Sequence, residues 1–324
     1  MQINMVEAVN QALREEMKRD KRVILLGEDV GVDGGVFRAT EGLYKEFGPE
    51  RVMDTPLAES GILGVSIGLA LNGMRPVAEM QFSGFFWPAF DQLISHAGRY
   101  RNRTRGRFNL PLVVRFPCGG GVKALEHHSE SYEAIYAHAP GVKVVYPSTP
   151  YDTKGLLKSA IRDPDPVVFM EHKKLYRAFR QEVPDGEYLV PIGESKVVQE
   201  GSDMTLISWG AMTLPVQRAA GLVAAHGVTC EIIDLRTISP LDMDPVISSV
   251  EKTGRCVIVE EGHRMCSVGA EIVAQINEKA FLSLKAPPLR VSGFDVPAPF
   301  YKMEDWYLPD TDRVVKAMRS VMKY

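Results

Sequence analysis

Apolar residues along the chain alternate between two spacings. Near the N-terminus Met5, Val6, Val9, Leu13 and Met17 recur every three or four positions with charges between them, which predicts an amphipathic helix. Val23, Ile24, Leu25 and Leu26 then form an unbroken apolar run closed by Gly27, as expected of a strand buried on both faces. The exchange continues with a helix that starts near Asp54 or Thr55, carries Pro56 in its first turn and runs to Leu71. After it come a strand over 76–82, a helix over 87–101, strands over 112–115 and 142–146, a helix over 149–162 and a strand over 167–170. Strands alternating with helices argue for a parallel sheet covered on both faces.

Residues 173–202 lose this rhythm and carry mixed charge with glycines and prolines, so a connector is expected there. A second alternation follows, with strands over 205–208, 230–235, 256–260 and 289–291 and helices over 212–225, 244–252 and 268–281. The expected fold class is α/β, with two doubly wound domains over 1–175 and 203–324 joined by a linker over 176–202. The length of 324 residues, more than one core usually serves, agrees with two domains.

Charge and cysteine content narrow the function. Thirty-eight Lys and Arg against 41 Asp and Glu give no positive field of the kind that nucleic-acid binding needs. Cys118, Cys230, Cys256 and Cys266 lie far apart and form no CxxC pair, which fits a reducing compartment. No apolar run reaches the roughly 18 residues of a membrane span, and the N-terminal helix is no signal-peptide block. The expected location is the cytoplasm, or an organelle matrix if a transit peptide has been removed.

No GxGxxG follows the first strand and no GxxxxGK[ST] occurs, so a self-sufficient dinucleotide or P-loop site is unexpected. Gly64-Val65-Ser66-Ile67-Gly68 matches the GxSxG of serine hydrolases, but it lies inside a predicted helix, where no strained elbow can form around Ser66. Gly61, Gly64 and Gly68 instead share one small-residue face. Glu59, early in that helix, is open to two readings: a solvated glutamate favoured by the helix dipole, or a buried carboxyl that exchanges a proton with a ligand ring nitrogen.

The stretch 118–131 places His127 and His128 behind Gly119-Gly120-Gly121, a loop free to adopt left-handed backbone. Metal binding by His127, His128, Glu130 and His138 is disfavoured because adjacent histidines converge poorly. A histidine handling a proton or an anion, and a surface pair without a role, both remain open. Phe82, Phe85, Phe86, Trp87 and Phe90 form a core or interface cluster on which a flat ring could stack. At 159–166 Pro164 and Pro166 stop a helix and leave its last carbonyls free, either as a plain stop or as a place for a cation.

Several segments together resemble one family: Gly27-Glu28-Asp29-Val30-Gly31, Gly34-Gly35-Val36-Phe37, Asp54-Thr55-Pro56-Leu57-Ala58-Glu59 and Arg75-Pro76-Val77-Ala78-Glu79-Met80-Gln81-Phe82. His127-His128-Ser129, Pro140-Gly141-Val142-Lys143-Val144-Val145-Tyr146-Pro147 and Asp234-Leu235-Arg236-Thr237 complete the match over nearly the whole chain. They are similar to the beta subunits of the thiamine-diphosphate-dependent 2-oxo acid dehydrogenases. The resemblance implies a pyrimidine-binding domain and a transketolase-type C-terminal domain. It also implies an alpha subunit in an α2β2 heterotetramer, since the diphosphate and its magnesium are held in this class by a Gly-Asp-Gly motif that the chain lacks.

By position, Glu59 resembles the glutamate that hydrogen-bonds the aminopyrimidine ring, and Glu28, Leu57, Ala58, Gln81 and Phe85 match residues around that ring. His128 matches the loop histidine beside the substrate, placed to bind the 2-oxo carboxylate or to move a proton during acyl transfer to lipoamide. His127 is the weaker match. The implied reaction is decarboxylation of a 2-oxo acid with acyl transfer to the lipoyl group of a dihydrolipoyl acyltransferase, whose core docks the C-terminal domain. A potassium ion on Leu112, Ala160, Ile161, Asp163 and Asp165 is implied as well. Phe86-Trp87-Pro88-Ala89-Phe90-Asp91-Gln92 is more similar to branched-chain enzymes and Phe179-Arg180-Gln181-Glu182-Val183-Pro184 to bacterial pyruvate enzymes. A branched-chain substrate is the expectation. The competing classes are a serine hydrolase using Ser66 and a non-catalytic assembly subunit.

Overall fold

The computed structural model describes residues 1–324. The first half is built on a seven-stranded sheet with the spatial order Thr237–Ser239, Lys143–Val145, Val167–His172, Val113–Cys118, Arg75–Glu79, Val23–Gly27 and Val52–Asp54. Every neighbouring pair in it is parallel except the first. The strands Val23–Gly27, Val113–Cys118 and Val167–His172 are buried along their whole length, which is why they read as continuous apolar runs rather than alternations. The second half holds a five-stranded sheet ordered Leu289–Val291, Cys256–Val259, Met204–Ser208, Cys230–Asp234 and Lys196–Gln199, with the last strand antiparallel. No helix is long and apolar enough to cross a membrane.

Local signals explain several helix starts. Helix Met5–Arg19 opens on a capping box: the Asn4 side chain accepts from the Glu7 N–H at 3.0 Å, and the Glu7 carboxylate accepts from the Asn4 N–H at 2.9 Å. Helix Pro150–Arg162 has Thr149 as its N-cap and proline at its first position. The two helices pack together, and Arg162 of one holds the buried Glu16 of the other at 2.6 Å.

Several elements differ from the sequence reading. The helix expected from Asp54 or Thr55 begins at Glu59, because Asp54 ends a short strand and its carboxylate accepts from the backbone N–H groups of Gly31 and Val32 instead of capping. The helix expected over 87–101 is three short pieces: a 3₁₀ turn over Ser83–Ala89 with Pro88 inside it, a π-helical turn over Gln92–Ala97, and Tyr100–Arg103. Within 176–202, Gln181–Glu182 pairs with Gln2–Ile3 and Lys196–Gln199 forms the edge of the second sheet. Thr237–Ser239, from the second half of the chain, closes the edge of the first sheet.

At the centre of the first sheet lies a fully buried ionic group. Arg115 donates to Glu171 on one neighbouring strand at 2.6 and 2.7 Å and to Glu79 on the other, and Tyr176 also donates to Glu171 at 2.7 Å. Removing the one cation would leave two carboxylates buried without a counter-charge. Arg115→Met is expected to destabilise the fold by about 3–5 kcal/mol, read as a lowered melting temperature. An unchanged melting temperature would show that the group contributes no net stability.

Candidate active site

The strands Val23–Gly27, Arg75–Glu79, Val113–Cys118 and Val167–His172 run in the same direction, so the segments following their carboxyl ends meet above one edge of the sheet. These segments carry Glu28, Gln81, the 119–131 loop with His128, and Lys173. The helix starting at Glu59 adds its first residue to the same place.

Glu28 and Glu59 are both buried, 7% and 8% exposed, and close enough for the Glu59 charge to act on Glu28. Burial first, then the charges of Glu59 and Asp29, raise the Glu28 carboxyl above its ordinary value. Neither carboxyl has a hydrogen-bond partner within the chain; the nearby Thr55 hydroxyl is buried and unpaired, while the Thr55 N–H donates to the Gly27 carbonyl at 3.0 Å. Buried polar groups in folded proteins are almost always paired. The Thr55 hydroxyl is the buried group left without a partner here, beside two carboxyls whose oxygens reach solvent and are open to a ligand's donors.

Around this pair the walls are ordered. Gln81 donates to the Asp29 carboxylate at 2.9 Å, which fixes the side chain beside Glu28. The half-buried His128 ring packs on Phe82, with centroids 4.3 Å apart, and edge-on against Phe85 at 4.9 Å. Its Nδ1 lies 2.7 Å from the Glu126 carbonyl, an arrangement that leaves Nε2 as the free ring nitrogen. Lys173 is buried, donates to the His128 carbonyl, and stands 5.4 Å above the Phe82 ring; burial lowers its pKa. His127 adopts positive φ, and its side chain points to Glu130 across 3.9 Å rather than joining His128. No set of three or more His, Cys, Asp or Glu side chains is placed to hold a metal ion, so His127, His128, Glu130 and His138 do not converge.

Leu57 and Ala58 are exposed, Leu57 at 78%. On the helix behind them Gly61, Gly64 and Gly68 leave a bare face, and a side chain added at Gly64 or Gly68 would meet nothing within 4 Å. Ser66 points the other way: it is buried in mid-helix and donates to the Ile62 carbonyl at 2.8 Å, so it is no hydrolase nucleophile.

Leu112, Ala160, Ile161, Asp163 and Asp165 gather at the opposite end of the sheet. There the Ile161 and Asp163 carbonyls accept from Arg75 at 2.8 and 3.3 Å, Lys143 binds the Asp163 carboxylate at 2.6 Å, and Arg101 binds Asp165 at 2.7 Å. The Leu112 and Ala160 carbonyls accept from the N–H groups of Val167 and Asp163.

Sequence reasoning missed the carboxylates that reach the histidine loop from the second half of the chain, Glu261 and Glu304. One signal was available for the first. Glu261 lies just past the carboxyl end of the strand Cys256–Val259, where sites form in open α/β sheets.

The family model for the transketolase pyrimidine-binding domain matches residues 1–178, and that for the transketolase C-terminal domain matches residues 193–314. The two domains are thus of the transketolase class, and a split-gene transketolase described as an inactive beta4 tetramer superposes with a TM-score of 0.81 over 99% of this chain and 98% of its own, at 23% identity. The pyruvate dehydrogenase E1 component subunit beta of Bacillus subtilis is 52% identical over 323 residues, 100% of this chain and 99% of the relative. That of Acholeplasma laidlawii is 49% identical over 321 residues, 99% of this chain and 98% of the relative. The chain belongs to this family, the beta subunits of the thiamine-diphosphate-dependent 2-oxo acid dehydrogenases. The expectation of a branched-chain substrate finds no support among these relatives, which are named for pyruvate.

The raised Glu28 carboxyl has a measurable consequence. A carboxyl whose pKa is higher in the folded state contributes stability below its ordinary value and loses it as the pH climbs through the raised one. Glu28→Gln is therefore expected to melt close to wild type at about pH 4 and increasingly above it toward pH 7. A difference in melting temperature that did not change with pH would contradict this.

Proposed function

We propose that this chain, together with an alpha subunit, catalyses the oxidative decarboxylation of pyruvate and the transfer of the acetyl group to the lipoyl group of a dihydrolipoyl acyltransferase. The observation that carries the reading is the adjacent Glu28 and Glu59 side chains, largely buried and with no hydrogen-bond partner in the chain, beside exposed Leu57 and Ala58. It is half of a pocket, and the bare glycine face of the adjoining helix suits close approach by another subunit. An α2β2 assembly, with the diphosphate and magnesium on the alpha chain, accounts for the absence of a Gly-Asp-Gly motif.

Thiamine diphosphate, when bound, supplies the carbon nucleophile and the electron sink. The protein's task is proton control and orientation. Glu59 holds a proton against the ring nitrogen, as a carboxyl placed for general acid and base chemistry does. Glu28 sits beside Glu59, and burial together with the Glu59 charge raises its carboxyl above the ordinary value. Gln81, held by Asp29, and Phe85 flank the ring, and His128, its Nδ1 held by the Glu126 carbonyl, keeps Nε2 free for a 2-oxo carboxylate. A potassium ion on the carbonyls around Ile161 and Asp163 would share them with Arg75.

Reconstitution with an alpha chain tests the reading. Glu59→Gln is expected to lower carbon dioxide release by about 10²–10⁴-fold with assembly intact; undiminished release would make this an assembly subunit only. Pyruvate is expected to be turned over in preference to 3-methyl-2-oxobutanoate, at about 10–200-fold per extra methylene excluded. A reversed preference would return the assignment to the branched-chain enzymes.

A further inference from the structure

The loop carrying His128 belongs to the first half of the chain, yet the side chains that fasten it come largely from the second. Glu261 is 4% exposed. One of its oxygens accepts from the Gly120 N–H at 2.7 Å and from the Ser131 hydroxyl at 2.9 Å, gripping both ends of the loop. Its other oxygen lies 2.7 Å from His172 Nε2, at the end of the strand that leads into Lys173. These contacts hold the carboxyl at about 2, well below the ordinary range despite complete burial, with His172 the chief favourable influence.

Glu304, 2% exposed, makes a second set of contacts. It accepts from the Lys123 N–H at 2.9 Å and from the Ser129 hydroxyl at 3.5 Å, and Lys123 pairs with the adjacent Asp305 at 2.8 Å. The loop is shaped to receive these groups. Gly119 and Gly121 take positive φ, a side chain on Gly119 would strike His172, and one on Gly120 would crowd Glu304 at 3.1 Å. On the opposite side Gly84 lets the 3₁₀ turn press directly on the His127 carbonyl, where a Cβ would come within 2.1 Å.

We propose that Glu261 and Glu304 are positioning residues, a clamp from the C-terminal half that fixes the 119–131 loop and so aims His128 at the substrate. The clamp itself rests on the hydrogen bonds above; its effect on turnover rests on the role given to His128 under the proposed function. Carboxylate acceptors suit the task because charge-assisted bonds from backbone N–H groups are short and directional. A misplacement of one ångström at a reacting group can cost about 10²-fold in rate.

The test uses the complex reconstituted with the alpha chain and two readouts. Hydrogen exchange of the 119–131 amides reports the clamp. Rates of pyruvate decarboxylation with an artificial electron acceptor, and of acetyl transfer to a lipoyl domain, report its consequence. Glu304→Ala and Glu261→Ala are expected to speed exchange in the loop and to lower the same step that His128→Ala lowers, by about tenfold, with the apparent affinity for thiamine diphosphate unchanged. Combining either with His128→Ala is expected to cost no more than His128→Ala alone. Glu304→Gln, which keeps an acceptor oxygen for the Lys123 N–H, is expected to restore most of the rate lost in Glu304→Ala.

Unaltered exchange in both carboxylate variants overturns the clamp, as does a loss of rate that adds fully to that of His128→Ala. Faster exchange alongside wild-type rates in His128→Ala leaves the clamp standing and removes the role given to His128. Should Glu261→Ala fail to assemble, Glu304→Ala alone decides, since its contacts are to loop backbone and one hydroxyl.

Discussion

Arg115 reaches across the middle of the first sheet to a glutamate on each side, and the pocket depends on that span. Glu79 and Gly27 are register partners, so the strand that Arg115 grips is the one against which Glu28 is placed. Glu171 on the other side lies directly before His172 and Lys173, which meet Glu261 and the His128 carbonyl. One guanidinium thus ties together the strands that deliver the three sets of residues around the pocket. Hydrogen bonds to charged groups in a dry interior are stiff, but their desolvation cost is large. What the arrangement contributes is a fixed spacing between strand ends.

The pocket is stocked with acceptors and short of donors. Glu28 and Glu59 offer acceptor oxygens, the Glu126 carbonyl is taken up by His128, and the cation Lys173 is spent on backbone. Such a surface is costly to bury alone and favourable once a ring with amino groups covers it. Under the proposed function, the fold keeps part of its stability in reserve for the cofactor, and the exposed Leu57 and Ala58 beside a bare helix face place the remaining contacts on a second chain.

Much of this was legible along the chain because periodicity reports burial. The strands buried on both faces, the helix under Pro150 and the second alternation after 203 all follow from apolar spacing and cap residues. Glu59 was legible only as one of two readings until its neighbours were compared with a family. The start of its helix was misread because Asp54 looks like a cap, and nothing local shows that its carboxylate is committed to Gly31 and Val32. Glu261 and Glu304 could not be found by local pattern at all, since they reach Gly120 and Lys123 across 141 and 181 residues of sequence. Edge strands such as Lys196–Gln199, exposed at every position, lack the apolar run that marks a strand in the interior.

The strand Thr237–Ser239 has a bearing on how the molecule could be divided. It leaves the second half of the chain, pairs with Lys143–Val145, and completes the first sheet with a segment from beyond the connector. Cleavage anywhere in 176–202 would detach this strand's covalent link and, on separation of the pieces, strip the first sheet of its border and bare a row of backbone groups primed for aberrant pairing. The halves recognised by two family models are modules of ancestry; as physical bodies they are stitched to one another.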